Sequence, residues 1–163
     1  MKRFFLFDWG DTLMRDDLTQ TGPMWQWPRV SALPGAWDVL QWSQAHGEVG
    51  IATGAAVSNE EDIRSALARV DLAQFIDVIF CKNNLGFSKT DPRFWQSIIA
   101  RLNLPPQQII MIGDSFESDV VAAQAAGIHA VWFNWRDLPA QPCPTIKTLQ
   151  ELPRLIEPDL LES

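Results

Sequence analysis

The stretch Phe4-Phe5-Leu6-Phe7-Asp8-Trp9-Gly10-Asp11-Thr12 contains a run of large apolar residues that ends abruptly at a carboxylate. Such a run is typical of a strand that is buried on both faces of a parallel sheet. We therefore predict a first strand over Arg3 to Asp8, with the Asp8 side chain at its carboxyl end.

A second stretch has the same design. The apolar run Ile109-Ile110-Met111-Ile112 is followed by Gly113-Asp114-Ser115-Phe116-Glu117-Ser118-Asp119. Since parallel strands deliver their carboxyl ends to one edge of a sheet, we expect Asp8 and Asp114 to lie close together. Two neighbouring carboxylates repel each other unless a cation or phosphate-handling chemistry lies between them. The pair therefore indicates a functional site.

The rest of the chain alternates short apolar runs with helical patterns, which is typical of βαβ units. The remaining predicted strands are Val49 to Thr53, Asp77 to Cys81, Gln108 to Ile112 and His129 to Phe133. Five strands are enough for an α/β fold with a doubly wound, Rossmann-like parallel sheet.

Capping residues and glycines mark the helices between these strands. A serine or threonine three positions before a glutamate forms a capping box, which marks a helix start. The marks are Pro34-Gly35 before a helix through Trp42, a capping box of Ser58 and Glu61, Asp91-Pro92 at a helix start, a helix from Asp119 to Ala126 that stops at Gly127, and a capping box of Thr148 and Glu151.

The segment from Leu13 to Leu33 fits neither a helix nor a strand pair, since it contains Gly22, Pro23 and Pro28. We call this segment, residues 13–33, the flap. Because it leaves the sheet directly after the first strand, we expect it to hang over the edge that carries Asp8. It is too short to be a domain. We therefore predict a single domain over residues 1–163 with a flap at 13–33.

Composition narrows the classes of function. The chain has 163 residues, 47% of them hydrophobic, which suits one domain with a proper core. Its net charge of −7 disfavours binding to nucleic acid or to an anionic membrane. The two cysteines, Cys81 and Cys143, lack partners at metal-ligand spacing, and the first apolar run is too short for a secretion signal. We therefore predict a cytoplasmic protein.

Four motifs in order resemble those of the haloacid dehalogenase (HAD) superfamily, whose members are mostly magnesium-dependent phosphatases. One such motif alone would be weak evidence, but four in this order form a specific signature, and the match runs from about residue 3 to residue 157. The motifs are Phe7-Asp8-Trp9-Gly10-Asp11-Thr12-Leu13, Ile51-Ala52-Thr53-Gly54, Ser88-Lys89-Thr90-Asp91-Pro92, and the Gly113 to Asp119 stretch quoted above.

The resemblance implies a capless member of the superfamily, with the flap in place of a cap domain. It also implies the strand order 5-4-1-2-3. In that order, the first and fourth strands are neighbours where the winding reverses, which is where open α/β sheets bind ligands.

The resemblance further implies a nucleophile and a metal site. Asp8 would attack phosphorus and form an aspartyl-phosphate. Mg²⁺ would be held by Asp8, Asp114 and the backbone carbonyl of Gly10, with Asp119 as a further metal-site residue. Asp119 would orient Lys89 or a metal-bound water.

A phosphate site and a set of catalytic residues follow from the same resemblance. Thr53, Gly54 and Lys89 would bind the phosphoryl group, with Thr53 donating a hydrogen bond and Lys89 offsetting charge. The predicted catalytic residues are Asp8, Thr53, Lys89 and Asp11.

One position departs from the family pattern. Family phosphatases carry a second Asp two residues after the nucleophile, which protonates the leaving group and later activates water. Here that position is Gly10, and Asp11 follows it. Because a positioned acid or base contributes roughly 10²–10⁴-fold in rate, turnover would be slow without one. Members that break carbon–halogen or carbon–phosphorus bonds also lack this Asp.

Three interpretations of Gly10 and Asp11 remain open. Asp11 could replace the missing acid and base, because glycine at position 10 allows the loop to be re-routed. Alternatively, the substrate has a good leaving group or is not a phosphate ester. Finally, the chain could bind a phosphorylated ligand or Mg²⁺ without efficient turnover.

We therefore predict a Mg²⁺-dependent HAD-type hydrolase, a phosphatase whose activity the glycine at position 10 is expected to limit. The alternatives are a non-catalytic binding or regulatory module and a HAD member that acts on a non-phosphoester. The predicted partner is a phosphorylated small molecule or a phosphorylated macromolecule, with no nucleic acid and no membrane. An oligomer is compatible with the sequence.

Overall fold

Six parallel strands form the centre of the protein. The computed structural model describes residues 3–161, so residues 1, 2, 162 and 163 of the expected 1–163 domain lie outside the described residues. The strands lie in the order β3-β2-β1-β4-β5-β6, and every neighbouring pair is parallel. In chain order they are β1 (Arg3–Phe7), β2 (Gly47–Ala52), β3 (Val78–Phe80), β4 (Ile109–Gly113), β5 (His129–Phe133) and β6 (Thr145–Ile146).

The predicted α/β fold and the order of its first five strands are confirmed, but the predicted number of strands is wrong by one. The additional strand, β6, pairs with β5 at the edge of the sheet, with Trp132 opposite Thr145. It has only two residues and directly follows Pro144, so it carries no alternation or apolar run that a sequence pattern could show. Pairing with β5 makes it a strand.

Helices cover both faces of the sheet because neighbouring residues of β1 point in opposite directions. Phe5 and Phe7 belong to a core formed with α1, α2 and α6, whereas Phe4 and Leu6 belong to a core formed with α4 and α5. The helices are α1 (Ala36–His46), α2 (Glu60–Ala68), α3 (Lys82–Leu85), α4 (Pro92–Leu102), α5 (Ala122–Ala125) and α6 (Leu152–Leu161). Within residues 3–161, none of them has the length and apolar character needed to cross a membrane.

Two of the predicted helix starts are confirmed by their caps. The Asp91 side chain accepts a hydrogen bond from the Arg93 N–H over 2.9 Å at the start of α4. The capping box of Thr148 and Glu151 is present, and it opens a 3₁₀ turn over Leu149–Glu151 that leads into α6. Local hydrogen bonding therefore decides these boundaries.

The predicted capping box of Ser58 and Glu61 is wrong by one residue. The Asn59 side chain accepts a hydrogen bond from the Asp62 N–H over 2.9 Å, and the Asp62 carboxylate accepts one from the Asn59 N–H over 3.1 Å. Both pairs have the same three-residue spacing, so the sequence offers two overlapping caps. Ser58 is buried and does not cap the helix.

The helix predicted over Asp119 to Ala126 is divided into two parts. A π-helical turn spans Phe116–Val121, and α5 continues from it and ends just before Gly127. The wide π-helical turn lies directly after β4. Turns of this kind are frequent at functional sites.

The flap is closed at its base by its own two ends and is held in its middle by a residue that follows α2. The Leu33 N–H donates to the Leu13 carbonyl over 2.8 Å, which closes its base. It contains one 3₁₀ turn over Met24–Gln26. Arg69, just after α2, donates to the Trp27 carbonyl over 2.6 Å. The flap therefore packs against α2 as a folded segment.

Candidate active site

Three carboxylates meet at the carboxyl edge of the sheet, where the winding reverses between β1 and β4. The strands are in register with Phe7 opposite Ile112, and the Asp8 N–H donates to the Ile112 carbonyl over 2.9 Å. One carboxylate oxygen from each of Asp8, Asp114 and Asp119 lies within 4.8 Å of the others. The backbone register therefore brings together acids that are more than a hundred residues apart.

Thr12 joins two of these acids. Its side chain is fully buried, and its Oγ1 lies 3.4 Å from Asp8 Oδ2 and 3.2 Å from Asp114 Oδ1. The same oxygen accepts the Asp114 N–H over 3.1 Å. Because a hydroxyl has one hydrogen, it donates to one carboxylate at a time. Thr12 therefore sets the spacing between the loops that follow β1 and β4.

Lys89 supplies the positive charge beside these acids. Its ammonium group donates to Asp8 Oδ1 over 3.0 Å and to the Ala52 carbonyl over 2.6 Å, and it lies 2.5 Å from Asp119 Oδ1. Burial on its own lowers the pKa of Lys89, but the charges of Asp119 and Asp8 outweigh it and hold the pKa above its ordinary value. Lys89 is therefore charged. We call Asp8, Asp114, Asp119 and Lys89 the acid–lysine cluster.

Asp119 is held rigidly by the loop that follows β4. Its Oδ2 accepts the Ser115 N–H over 3.0 Å, while its Oδ1 faces Lys89. The carboxylate lies directly over the backbone of Gly113, where the Cβ of any other residue would overlap it. Glycine is therefore required at position 113 for close approach, not for a special backbone angle.

The three carboxylates of the acid–lysine cluster carry more negative charge than the single positive charge of Lys89 can offset. Burial, followed by the hydrogen bond and charge of Asp8, raises the pKa of Asp114 to about 7, although Arg136 partly opposes this shift. Burial and the charge of Asp8 also raise the pKa of Asp119, against the opposing effect of Lys89. A proton or a cation is therefore stabilised at this edge of the sheet.

This donor set fits a hard divalent cation. Carboxylate oxygens and backbone carbonyls are the ligands that Mg²⁺ takes, and the excess negative charge favours it. The Asp119 side chain is only 1% exposed, whereas those of Asp8 and Asp114 are 14% and 13% exposed. Asp8 and Asp114 are therefore the carboxylates best able to face an ion directly, and Asp119 is better placed to act through Lys89 or through water.

An open cleft of about 340 Å³ lies beside Asp8, between the flap and the loop that follows β2. Thr53 and Gly54 line it from the β2 side. Thr53 is buried. Its hydroxyl oxygen accepts the Ala55 N–H over 3.1 Å, which leaves the hydroxyl hydrogen free to bind a ligand. The flap contributes Gly22, Pro23, Met24 and Trp27.

Asp11 points away from this cleft toward the loop after β5. Its Oδ2 lies 2.8 Å from Arg136 Nη2, and its Oδ1 accepts the Asp16 N–H over 3.0 Å. Its backbone has a φ of 59°, a left-handed conformation that Asp adopts more readily than most residues. The other guanidinium nitrogen of Arg136 lies 2.8 Å from Asp114 Oδ2. Asp11 and Asp114 are thus tied through one arginine.

Asp16 lines the cleft together with Asp8 and Gly10. Partial desolvation and the neighbouring charges of Asp11, Asp17 and Asp8 raise the pKa of Asp16. Its side chain is exposed on the surface of the cleft.

Sequence reasoning missed Arg136 and Asp16 and assigned no separate role to Thr12. Arg136 follows β5, so the rule that placed Asp8 and Asp114 at the carboxyl edge could have identified it. Nothing in the sequence separates Asp16 from the other acids near it, because its position depends on how the flap folds. Thr12 lies in the first motif, but its contact with Asp114 joins positions 102 residues apart.

The chain resembles known proteins both in sequence and in structure. A family model for haloacid dehalogenase-like hydrolases matches residues 22–127. Pyrimidine 5′-nucleotidase YjjG of Escherichia coli (strain K12) is 27% identical over 129 residues, which cover 76% of this chain and 56% of that protein. The chain spans only about a third of the length of the next two curated relatives, which are phosphatases.

Two solved structures share the fold over nearly the whole chain. A protein from Listeria monocytogenes serotype 4b superposes with a TM-score of 0.83 at 24% identity, covering 98% of this chain and 97% of that one. The Bacillus subtilis protein YfnB, determined bound to magnesium, superposes with a TM-score of 0.78 at 18% identity, covering 95% and 98%. At these identities the likeness establishes the fold. Because the family model covers more than half of the chain, the chain belongs to the haloacid dehalogenase-like hydrolases.

Proposed function

We propose that this hydrolase is a Mg²⁺-dependent phosphatase that works through an aspartyl-phosphate on Asp8. The observation that carries the proposal is the position of Asp8, which contacts Lys89 over 3.0 Å and borders an open cleft. A carboxylate that a buried lysine holds in one orientation is a suitable nucleophile toward phosphorus.

The remaining residues of the site suit the other parts of such a reaction. Thr53 and the backbone around Gly54 border the cleft where phosphoryl oxygens would bind, and Lys89 offsets their charge. Asp119 orients Lys89. Asp8, Asp114 and the Gly10 carbonyl would hold Mg²⁺, which, when bound, neutralises charge on the phosphoryl group.

For the substrate we propose a phosphorylated small molecule. The cleft of about 340 Å³ is of the size that holds small ligands, and the relatives named as phosphatases and nucleotidases point the same way. We also propose a cytoplasmic location. Cys81 and Cys143 are both free thiols, as a reducing compartment would keep them.

One experiment tests the phosphatase directly. Release of inorganic phosphate is measured with a panel of alkyl and aryl phosphates in Mg²⁺, for the wild type, Asp8→Asn and the control Asp38→Asn. Asp38 is an exposed residue of α1 that does not line the cleft. We expect Asp8→Asn to lose at least about 10⁴-fold in rate and the control to match the wild type. Equal rates in wild type and Asp8→Asn would contradict the proposal.

The second candidate is a binding module without turnover, which the glycine at position 10 favours. It predicts that Mg²⁺ and a phosphate analogue such as orthovanadate bind in a calorimetric titration, while no phosphate release depends on Asp8. The panel above separates the two candidates, because only the phosphatase shows hydrolysis that Asp8→Asn abolishes.

A further inference from the structure

The glycine at position 10 is not required by the backbone. Its φ lies outside the left-handed region, and an added Cβ would meet nothing closer than 3.6 Å, which is ordinary van der Waals contact. A side chain is therefore sterically allowed at this position. In family phosphatases, the side chain of the second Asp fills this space.

Asp16 occupies that space. The atoms nearest to a Cβ built on Gly10 all belong to the Asp16 side chain, with its Cβ at 3.6 Å and its Cγ and Oδ2 at 3.9 Å. The fold of the flap therefore places the Asp16 carboxylate beside Gly10, where the residue at position 10 has no side chain of its own. That place borders the same cleft as the proposed nucleophile, Asp8.

Asp16 also differs from the neighbouring acids in having a free carboxylate. Within residues 3–161, no hydrogen bond or ion pair engages its side-chain oxygens. Both oxygens of Asp11 are engaged, by Arg136 and by the Asp16 N–H. Both oxygens of Asp17 are engaged as well, by Thr19 and Gln20. Only a carboxylate without such partners can exchange a proton with a ligand at no cost in broken contacts.

We infer that Asp16 is the general acid and base of this hydrolase. The inference rests on the proposed phosphatase function and deepens it. In the first step, a carboxylate oxygen of Asp8 forms a bond to phosphorus as the ester P–O bond breaks, and Asp16 gives its proton to the departing oxygen. In the second step, Asp16 takes a proton from water as the water oxygen bonds to phosphorus. The bond between phosphorus and Asp8 breaks, and free phosphate leaves.

The first test compares leaving groups. The value of kcat/KM is measured in Mg²⁺ for Asp16→Asn with the best alkyl phosphate of the panel and with 4-nitrophenyl phosphate. An alkoxide needs a proton to leave and 4-nitrophenolate does not, so we expect a loss of about 10²–10⁴-fold with the first substrate and a much smaller loss with the second. A variant within about twofold of the wild type on alkyl phosphates, or losing equally on both substrates, would overturn the inference.

The matched control is Asp17→Asn, which removes the same charge from the next residue. Its expected rates lie within about twofold of the wild type, because Asp17 does not line the cleft and acts on Asp16 only through the charge of an exposed group. Since Asp16 is exposed, Asp16→Asn should keep the wild-type Tm, which excludes misfolding as the cause of a loss. If the wild type itself shows no hydrolysis that depends on Asp8, the proposed function fails, and this inference fails with it. Activity that depends on Asp8 but not on Asp16 overturns this inference alone.

A second test moves the acid. In the background of Asp16→Ala, the change Gly10→Asp places a carboxylate in the vacated space. We expect the double variant to recover at least about tenfold in kcat/KM over Asp16→Ala with the alkyl phosphate. A folded double variant without recovery would count against a proton donor at this place.

Discussion

The acid–lysine cluster and the loop over residues 10–16 meet at Asp8, the proposed nucleophile, but they are built differently. In the cluster, the side chains of Asp119, Lys89 and Asp8 are only 1%, 6% and 14% exposed, and each contacts another member. In the loop, Asp16 is exposed and its carboxylate engages no partner within the described chain. The difference implies that changes in the cluster affect folding as well as activity, whereas changes at Gly10 and Asp16 affect activity alone.

The largest effect on stability is expected from Lys89→Met. Removing one partner of a buried ion pair leaves the carboxylates of Asp8 and Asp119 without compensation, which typically costs about 3–5 kcal/mol. We expect the free energy of unfolding, measured with a denaturant in the absence of divalent cations, to fall by about that amount. The control is Lys82→Met, since Lys82 is exposed and should change the value by less than about 0.5 kcal/mol. Equal losses for both lysines would remove the distinction between the two regions.

Substitutions of two glycines, one beside the acid–lysine cluster and one in the loop, test the difference between these regions. In Gly113→Ala, the new methyl group would overlap the Asp119 carboxylate and lie 2.6 Å from its Cβ, so Asp119 must move away from Lys89. We expect a loss of about 2 kcal/mol in the free energy of unfolding. In Gly10→Ala, the nearest atom is 3.6 Å away, and we expect almost no loss. Chemical denaturation of both variants provides the measurement, and a Gly113→Ala protein as stable as Gly10→Ala would contradict the packing described for Asp119.

The smallest effect concerns pH. Because the folded protein raises the pKa of Asp114 to about 7, the folded state binds this proton more tightly than the unfolded state does. The stability that the proton contributes is complete below the ordinary pKa of an Asp, about 4, and is lost as the pH rises through about 7. The Tm of the metal-free protein should therefore fall between pH 5 and pH 8.

Asp114→Asn should remove part of this dependence. We expect the variant to be about 1 kcal/mol more stable than the wild type at pH 8 without metal, or roughly 2–4 °C higher in Tm for a chain of this size. Asp38→Asn, which changes an exposed acid, should keep the wild-type slope. Parallel curves for the wild type and Asp114→Asn would show that burial and the charge of Asp8 do not raise the pKa of Asp114.

The sheet could be predicted from the sequence because each long strand carries its own signal. The apolar runs before Asp8 and Asp114 end at polar residues, and burial on both faces of a parallel sheet requires such runs. The two-residue strand β6 has no comparable signal, and the cap of α2 depends on a choice between two overlapping pairs, Ser58 with Glu61 and Asn59 with Asp62. Errors therefore lie where local patterns are short or duplicated.

The candidate site also contains residues that motifs identify and contacts that no local pattern shows. Asp8, Thr53, Lys89 and Asp114 were named from motifs, yet their catalytic roles stay predictions. Asp8 and Thr53 line the cleft, and Lys89 and Asp114 lie beside Asp8. Asp11 was named as one candidate for the missing acid, because it is adjacent in sequence to Gly10. Its contact with Arg136 spans 125 positions, and no local pattern contains such information.

The segments that form the sheet and the edge that carries the acids follow from local sequence patterns, because an apolar run and the residue that ends it are neighbours in the chain. Which acid is held by an arginine, and which one borders the cleft unpaired, follows from the fold. The surroundings of Asp11 and Asp16 come from the fold of the flap and from the loop after β5. These surroundings depend on contacts between residues far apart in the chain.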